Sequence, residues 1–278
     1  MNYINYHTLS TDIRKLSNKL PRDIDLIAGI PRSGIIPGAM LALLRNVPFV
    51  TTTELEQGTI DLASSDRMKS LGSKPIKKVL VIDDSYNTGR QMGWSKEKLK
   101  HLPYEFIFAA VYGSQAASMN LDYHQRVISH PRTFEWNIFH NNHVTKACVD
   151  IDGVLCHDPA FTERGDNPQQ MRDFILNAEP KFLPTPVIRS LVTNRLEKFR
   201  PETEQWLAKH NIRYKELIMS SAASPEARRQ VGDHGKYKAE MMLKLNSPLF
   251  IESSIQQSRR IKEITNRAVF CTDKMEML

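Results

Sequence analysis

The sequence predicts an α/β protein built from two Rossmann-like, parallel-sheet domains joined end to end. Two apolar runs, residues 79–82 and 147–149, each end in carboxylates, Asp83-Asp84 in the first and Asp150 and Asp152 in the second. A polar turn containing a glycine follows each run, as expected where a parallel strand leaves the sheet at a ligand crevice. From residue 144 onward, strand-like and helix-like segments alternate, which is the pattern of a parallel sheet covered by helices on both faces. A chain of 278 residues suits one large or two medium domains.

Composition narrows the function class. At 41% hydrophobic and 25% charged residues, the chain has ordinary globular composition. Its cysteines, Cys148, Cys156 and Cys271, are too few and too scattered for a disulfide framework or a zinc site. They suit buried thiols in a reducing compartment. No apolar run approaches the roughly 18–20 residues of a membrane span, and the polar first twenty residues lack the apolar core of a signal peptide. A cytoplasmic location is expected. The net charge is +7 and the pI about 9.2. The basic residues are dispersed, with no Lys/Arg block and no nucleic-acid motif. Anionic metabolites account for the excess as well as nucleic acid does, and no nucleic-acid partner is expected.

The N-terminal elements can be justified in order. Residues 11–20 place apolar groups at 13, 16 and 20, a short amphipathic helix that Pro21 ends. Residues 24–30 read as a strand, followed by the loop Gly29-Ile30-Pro31-Arg32-Ser33-Gly34 and a helix over about 39–44. A glycine-bounded loop entering a helix is an anion site, and Arg32 adds a fork of donors suited to phosphate. Residues 48–52 read as a strand. Residues 56–76, with Gly58, Gly72 and Pro75, show little periodicity; a loop of this length inside a domain is usually functional or disordered. Residues 79–82 form a buried strand, Asp83-Asp84 stand at its end, and Ser85 to Gln91 turn into a helix that continues over 93–101. Such an acidic pair can hold sugar hydroxyls or a hydrated Mg²⁺. Strands are expected at 104–112 and 125–129.

Residues 78–92 resemble the PRPP-binding motif of type I phosphoribosyltransferases: a hydrophobic strand, two acids, then a loop with Thr-Gly. Residues 29–38 resemble the pyrophosphate loop of the same family. The resemblance implies that Asp83 and Asp84 bind the ribose 2- and 3-hydroxyls. Ser85, Asn87, Thr88, Gly89, Arg90 and Gln91 would cradle the 5-phosphate, with Thr88 giving a hydroxyl, and Gln91 stands where the family often has a second Thr or Ser. Arg32, Ser33 and Gly34 would contact the leaving pyrophosphate. A mobile loop within 56–76 would close over PRPP, with Arg67 and Lys69 either reaching the pyrophosphate or merely solvated. A hood drawn from 113–140 would select the acceptor. Trp136 within it is either a stacking platform or an interdomain packing residue. The family is often dimeric, so a homodimer is implied.

The second constellation is Lys146-Ala147-Cys148-Val149-Asp150-Ile151-Asp152-Gly153-Val154-Leu155. Two acids two residues apart on a loop leaving a strand can divide labour between nucleophile and proton donor, with Mg²⁺ screening the anions. The stretch resembles the first motif of haloacid-dehalogenase-type (HAD) phosphatases. Thr193 after the strand 187–192 matches the second motif and would bind the phosphoryl group. Lys238, with Lys236 in reserve, would supply the family's lysine. The strand 249–251 runs into Glu252-Ser253, where the family commonly has one or two Asp. The resemblance implies Asp150, Asp152, Thr193 and Lys238 as catalytic residues and Asp150, Asp152 and Glu252 as Mg²⁺ ligands. The insert from 158 to 186 is too short for a large cap, so a HAD-like fold with a minimal cap and an open site is expected. The domains are placed at 1–143 and 144–278, with His140 and His143 read as linker polarity.

The pairing implies sequential chemistry: transfer of 5-phosphoribose from PRPP to an acceptor, then removal of the 5-phosphate. It is similar to bacterial glycan phosphoribosyltransferase/phosphatase systems that leave ribofuranose in a polysaccharide, so a glycan acceptor is expected. The alternatives are a nucleobase acceptor with a 5-nucleotidase-type second step, and a non-catalytic PRPP sensor. The halves could also serve unrelated reactions.

Overall fold

The computed structural model describes residues 1–59, 75–115, 117–159, 167–222 and 233–278, without the side chains of residues 117 and 118. The chain forms two compact units, Met1–Arg132 and Thr133–Leu278. Each is a mixed α/β unit around a parallel sheet.

The first unit contains β1 (Asn2–Ile4), α1 (Tyr6–Lys19), β2 (Leu26–Gly29), α2 (Ile35–Arg45), β3 (Phe49–Thr51) and α3 (Thr52–Gln57). These are followed by β4 (Lys78–Ser85), α4 (Arg90–Leu99), β5 (Glu105–Gly113), α5 (Ala117–Asn120) and β6 (Tyr123–Val127). Its five-stranded sheet has the order β3-β2-β4-β5-β6, and every pairing is parallel. The interior strands β2 and β4 bury Leu26, Ile27 and Ala28 and Val79 to Ile82 completely, as continuous apolar strands do when helices cover both faces. Helix α1 starts earlier than its apolar spacing predicts, because the Asn5 side chain accepts the Thr8 N–H at 2.9 Å and caps it. Helix α2 begins directly after Gly34, and β3 passes at once into α3 through a capping box between Thr51 and Glu54.

Strand β7 (Arg132–Phe134) begins at the junction. The second unit then contains β8 (Cys148–Val149), α6 (Pro168–Asn177), β9 (Ile188–Leu196), α7 (Arg200–Lys209), β10 (Tyr214–Ser220), α8 (His234–Lys244), β11 (Leu249–Glu252), α9 (Ile255–Thr265), β12 (Ala268–Cys271) and β13 (Glu276–Met277). Its sheet order is β10-β9-β8-β11-β12-β13. All pairings are parallel except the last, where β13 runs antiparallel to β12. Cys148, Val192, Phe250 and Val269 from four strands share a core with Ala239, Met242 and Ile261 from α8 and α9.

The compact units divide after Arg132, whereas the sequence places the boundary at residue 143. The 3-10 turns at Glu135–His140 and Asn142–Lys146 bury Ile138, Phe139 and Val144. Phe139 stacks on Phe182 at 4.5 Å and meets Phe270 edge-on at 6.3 Å, so this segment belongs to the core of the second unit. Trp136 also lies in the second unit, stacked on Phe134 at 4.9 Å. Among the described residues no helix is long and apolar enough to cross a membrane.

Candidate active sites

In the first unit, β2 and β4 are neighbours although β3 lies between them in sequence. The chain leaves β2 toward one edge and returns to β4 on the other side, so a crevice opens beyond their carboxyl ends. The loops 30–34 and 86–89 rise from these two strands, and the Ile30 N–H donates to the Ile82 carbonyl at 2.9 Å. A Cβ on Gly34 would lie 2.6 Å from the Ile30 oxygen and 2.7 Å from the Ile82 oxygen, so only glycine lets the first loop lie against the root of the second. The peptide between Pro31 and Arg32 is cis. Arg32 is exposed and Ser33 half-buried.

Asp83 and Asp84 sit at the end of β4, 9% and 4% exposed. The Asp84 N–H donates to Asp83 Oδ1 at 2.8 Å. Burial, and after it the charge of Asp84, pushes the Asp83 carboxyl well above the usual carboxylate range. Keeping two acids in so dry a place is costly unless something arrives to use them. Beyond them, Asn87 is braced from two sides: its carbonyl accepts the Ser114 hydroxyl at 3.2 Å, and its side-chain oxygen lies 3.1 Å from His130 Nε2. Asn87, Thr88, Arg90 and Gln91 are exposed, and Ser85 and Gly89 half-buried. Gly89 has φ +77°, and a Cβ there would sit 2.2 Å from the Tyr86 hydroxyl. As the N-cap of α4 it brings no capping side chain, which leaves first-turn N–H groups for an anion or water.

Arg132, which the motif reading passed over, holds the floor of this site. Its guanidinium is 5% exposed and donates to the carbonyls of Tyr86 (3.0 Å), Gly113 (3.1 Å) and Ile128 (3.2 Å). Burial lowers its pKa while the nearby charge of Asp84 opposes the shift. The signal lay in a lone arginine between Pro131 and Thr133, which no local pattern distinguishes from a surface residue. Arg67 and Lys69 lie outside the described residues.

The second site is built the same way. Asp150 follows β8, Thr193 lies in β9, Glu252 ends β11, and Lys238 reaches in from the second turn of α8. Lys238, 1% exposed, donates to Asp150 Oδ2 and to Glu252 Oε2, both at 2.6 Å. Lys236 is exposed, so the two candidates are separated by which face of α8 they occupy. Burial pushes the Asp150 carboxyl up to about 7, with Lys238 pulling it down and Glu252 and Asp152 pushing it further up. Burial lowers Lys238, but the charges of Asp150 and Glu252 outweigh it and hold the ammonium above its ordinary value.

Asp152 is paired separately. Arg195, 3% exposed, donates through Nε to both of its oxygens at 3.1 Å and through Nη2 to Oδ1 at 2.6 Å. Strand β9 runs through residue 196, so Thr193 and Arg195 share one face of the sheet; that alternation was available in the Thr-Asn-Arg triplet. The Cys156 thiol donates to Asp152 Oδ1 at 3.5 Å, and burial pushes it well up.

The expected metal ligands Asp150, Asp152 and Glu252 do not form a coordination set. Among the described residues no three of His, Cys, Asp and Glu are grouped to hold a metal. Each carboxylate already takes a buried cation. A cavity of about 550 Å³ opens over the group, lined by Asp150, Asp152, Thr193, Asn194, Lys198 and Lys238 among others. Its lining also includes Asp158 and Pro159 and, from α6 and its cap, Asn167, Pro168 and Met171, all within the 158–186 insert.

No protein-family model and no curated protein matches the chain. Among solved structures, it is similar to a purine phosphoribosyltransferase from Pyrococcus horikoshii at 21% identity and a TM-score of 0.37, over 49% of this chain and 92% of that one. It is likewise similar to the xanthine-guanine-hypoxanthine phosphoribosyltransferase of Helicobacter pylori at 15% identity and a TM-score of 0.38, over 49% and 92%. An orotate phosphoribosyltransferase from Aeropyrum pernix aligns at 18% identity and a TM-score of 0.32, over 44% and 70%.

Proposed function

We propose that the first unit transfers 5-phosphoribose from PRPP to an acceptor and that the second removes the 5-phosphate from the product. The observation that carries this reading is the placement of Asp83 and Asp84 between two glycine-dependent loops at the strand-order reversal of the first sheet. PRPP enters as its Mg²⁺ complex, the ion arriving with the substrate. Asp83 and Asp84 accept the ribose hydroxyls. The loop from Ser85 to Gln91 and the uncapped turn of α4 take the 5-phosphate, and Arg32, Ser33 and Gly34 take the pyrophosphate. With both ends of the sugar gripped, the C1–oxygen bond to pyrophosphate breaks while the acceptor oxygen or nitrogen bonds to C1. Orientation and charge stabilisation supply most of the acceleration.

In the second unit an Asp150 oxygen attacks phosphorus and the ribose oxygen leaves with a proton. Lys238 aims Asp150, and Thr193 is placed for the phosphoryl oxygens. Arg195 orients Asp152, which gives the leaving ribose oxygen its proton and takes one from the water that hydrolyses the aspartyl phosphate. The cavity of about 550 Å³ over the group has room for a bulky product, and this favours a glycan acceptor over a free base.

The test is mass spectrometry of products from PRPP, Mg²⁺ and a panel of simple glycans, lipid-linked sugar mimics and nucleobases, with the natural chain beside Asp150→Asn. A glycan that gains ribosyl phosphate in the variant and plain ribose in the natural chain is the expected result. Modification of a nucleobase alone would move the protein to nucleotide metabolism. PRPP binding with no product from any acceptor would favour a sensor or an acceptor missing from the panel.

A further inference from the structure

The acids that the sequence offers to a dication already accept a hydrogen bond at each oxygen. Asp150 Oδ1 accepts the Ile151 N–H at 2.8 Å and Oδ2 the Lys238 ammonium at 2.6 Å. Glu252 Oε2 accepts the same ammonium at 2.6 Å, and Oε1 accepts the Ser254 N–H at 3.0 Å. Both oxygens of Asp152 accept from Arg195. Where a second carboxylate would follow Glu252, Ser253 stands instead, and its hydroxyl donates to the Asp152 carbonyl at 3.4 Å. Lys238 and Glu252 are 1% and 0% exposed.

Mg²⁺ demands near-octahedral oxygen ligands at about 2.0–2.1 Å and gives up water reluctantly. To enter here it would have to evict a buried ammonium from between two carboxylates and leave that charge without a counter-ion, which is strongly unfavourable. Asp158 and Asp273 also line the cavity, but among the described residues no three acids are grouped to hold a metal, and the other groups that face it, Thr193, Asn194, Lys198, Ser253 and Ser254, suit phosphate oxygens. We infer that Lys238 is the resident cation of this second site, which takes a phosphate monoester without a divalent ion of its own. The inference rests on reading the site as a phosphatase, and its test separates the two.

The test uses the full chain carrying Asp83→Asn and Asp84→Asn, so that the acids of the first unit bind no metal. Free Mn²⁺ is followed by electron paramagnetic resonance, and melting is recorded with and without Mg²⁺. The expected result is an undiminished Mn²⁺ signal and no Mg²⁺ effect on the melting of the second unit. Adding Lys238→Met should uncover the two carboxylates, so that Mn²⁺ is bound and Mg²⁺ raises the melting temperature by mass action. If Lys238→Met does not fold, the parent measurement decides alone. Mn²⁺ binding by the parent that disappears on adding Asp150→Asn would overturn the inference. So would a tenfold or greater loss of p-nitrophenyl phosphate hydrolysis by the natural chain in EDTA that Mg²⁺ restores. Absence of hydrolysis under every condition would count against the phosphatase reading, and the Mn²⁺ result would still judge the metal.

Discussion

Single residues carry opposite loads in the first site. Asp83 is a buried acid whose carboxyl is raised above its ordinary value of 3.8. Its contribution to stability is therefore fully present below that value and is lost as pH rises through the folded-state pKa. Asp83→Asn should raise the urea midpoint of the first unit at pH 7.5 and do so less at pH 4, while abolishing PRPP binding; equal gains at both pH values would show that charge burial is not the cause. Arg132 carries the reverse load. Replacing it by Met leaves the Tyr86, Gly113 and Ile128 carbonyls without their donor, at a cost of roughly 1–3 kcal/mol for each group left unsatisfied. Arg132→Met should lower the midpoint sharply, and Arg132→Lys should recover part of the loss. Asp83 could be read from local sequence beside its neighbour Asp84, but Arg132 could not, because it acts through carbonyls contributed by three separate segments.

Elements were legible where local chemistry decided them. The run at 79–82 could only be an interior parallel strand, and β4 is one. Helix starts were less legible, since Asn5 and Thr51 each begin a helix through a side-chain cap that adds no apolar period. Removing the second cap, Thr51→Ala, should cost about 1 kcal/mol and leave phosphate-ester hydrolysis unchanged, as denaturation and a p-nitrophenyl phosphate assay can show. The start of α4 is the element on which the first site most depends. Gly89→Ala forces a Cβ into the Tyr86 hydroxyl at a positive φ, so PRPP affinity should fall at least tenfold by calorimetry. Unchanged affinity would mean that this turn does not hold the phosphate. In the second unit the three strands and the helix that carry the motif residues were readable in order, and the Thr-Asn-Arg triplet held the alternation that puts Arg195 beside Thr193 on one face once β9 runs to residue 196.

On the scale of the whole molecule, two sheets with two separate cores should unfold as two events. Calorimetry should resolve two transitions, with PRPP raising only the one belonging to residues 1–132; a single transition raised as a whole would show thermodynamic coupling between the units. The compact units divide eleven residues before the boundary read from the sequence, since Phe139 finds its partners at Phe182 and Phe270, contacts with no local signature. The hydrogen bond from Ile30 to Ile82 has a kinetic meaning as well. It ties together the roots of the loops 30–34 and 86–89 and lies at the last amide before Pro31, so it can open only when the two loops part. Its hydrogen–deuterium exchange is thus a clock for the opening of the crevice. PRPP, by clasping both loops, should slow that one amide far more than the interior amides of β4, and pyrophosphate alone should slow it less.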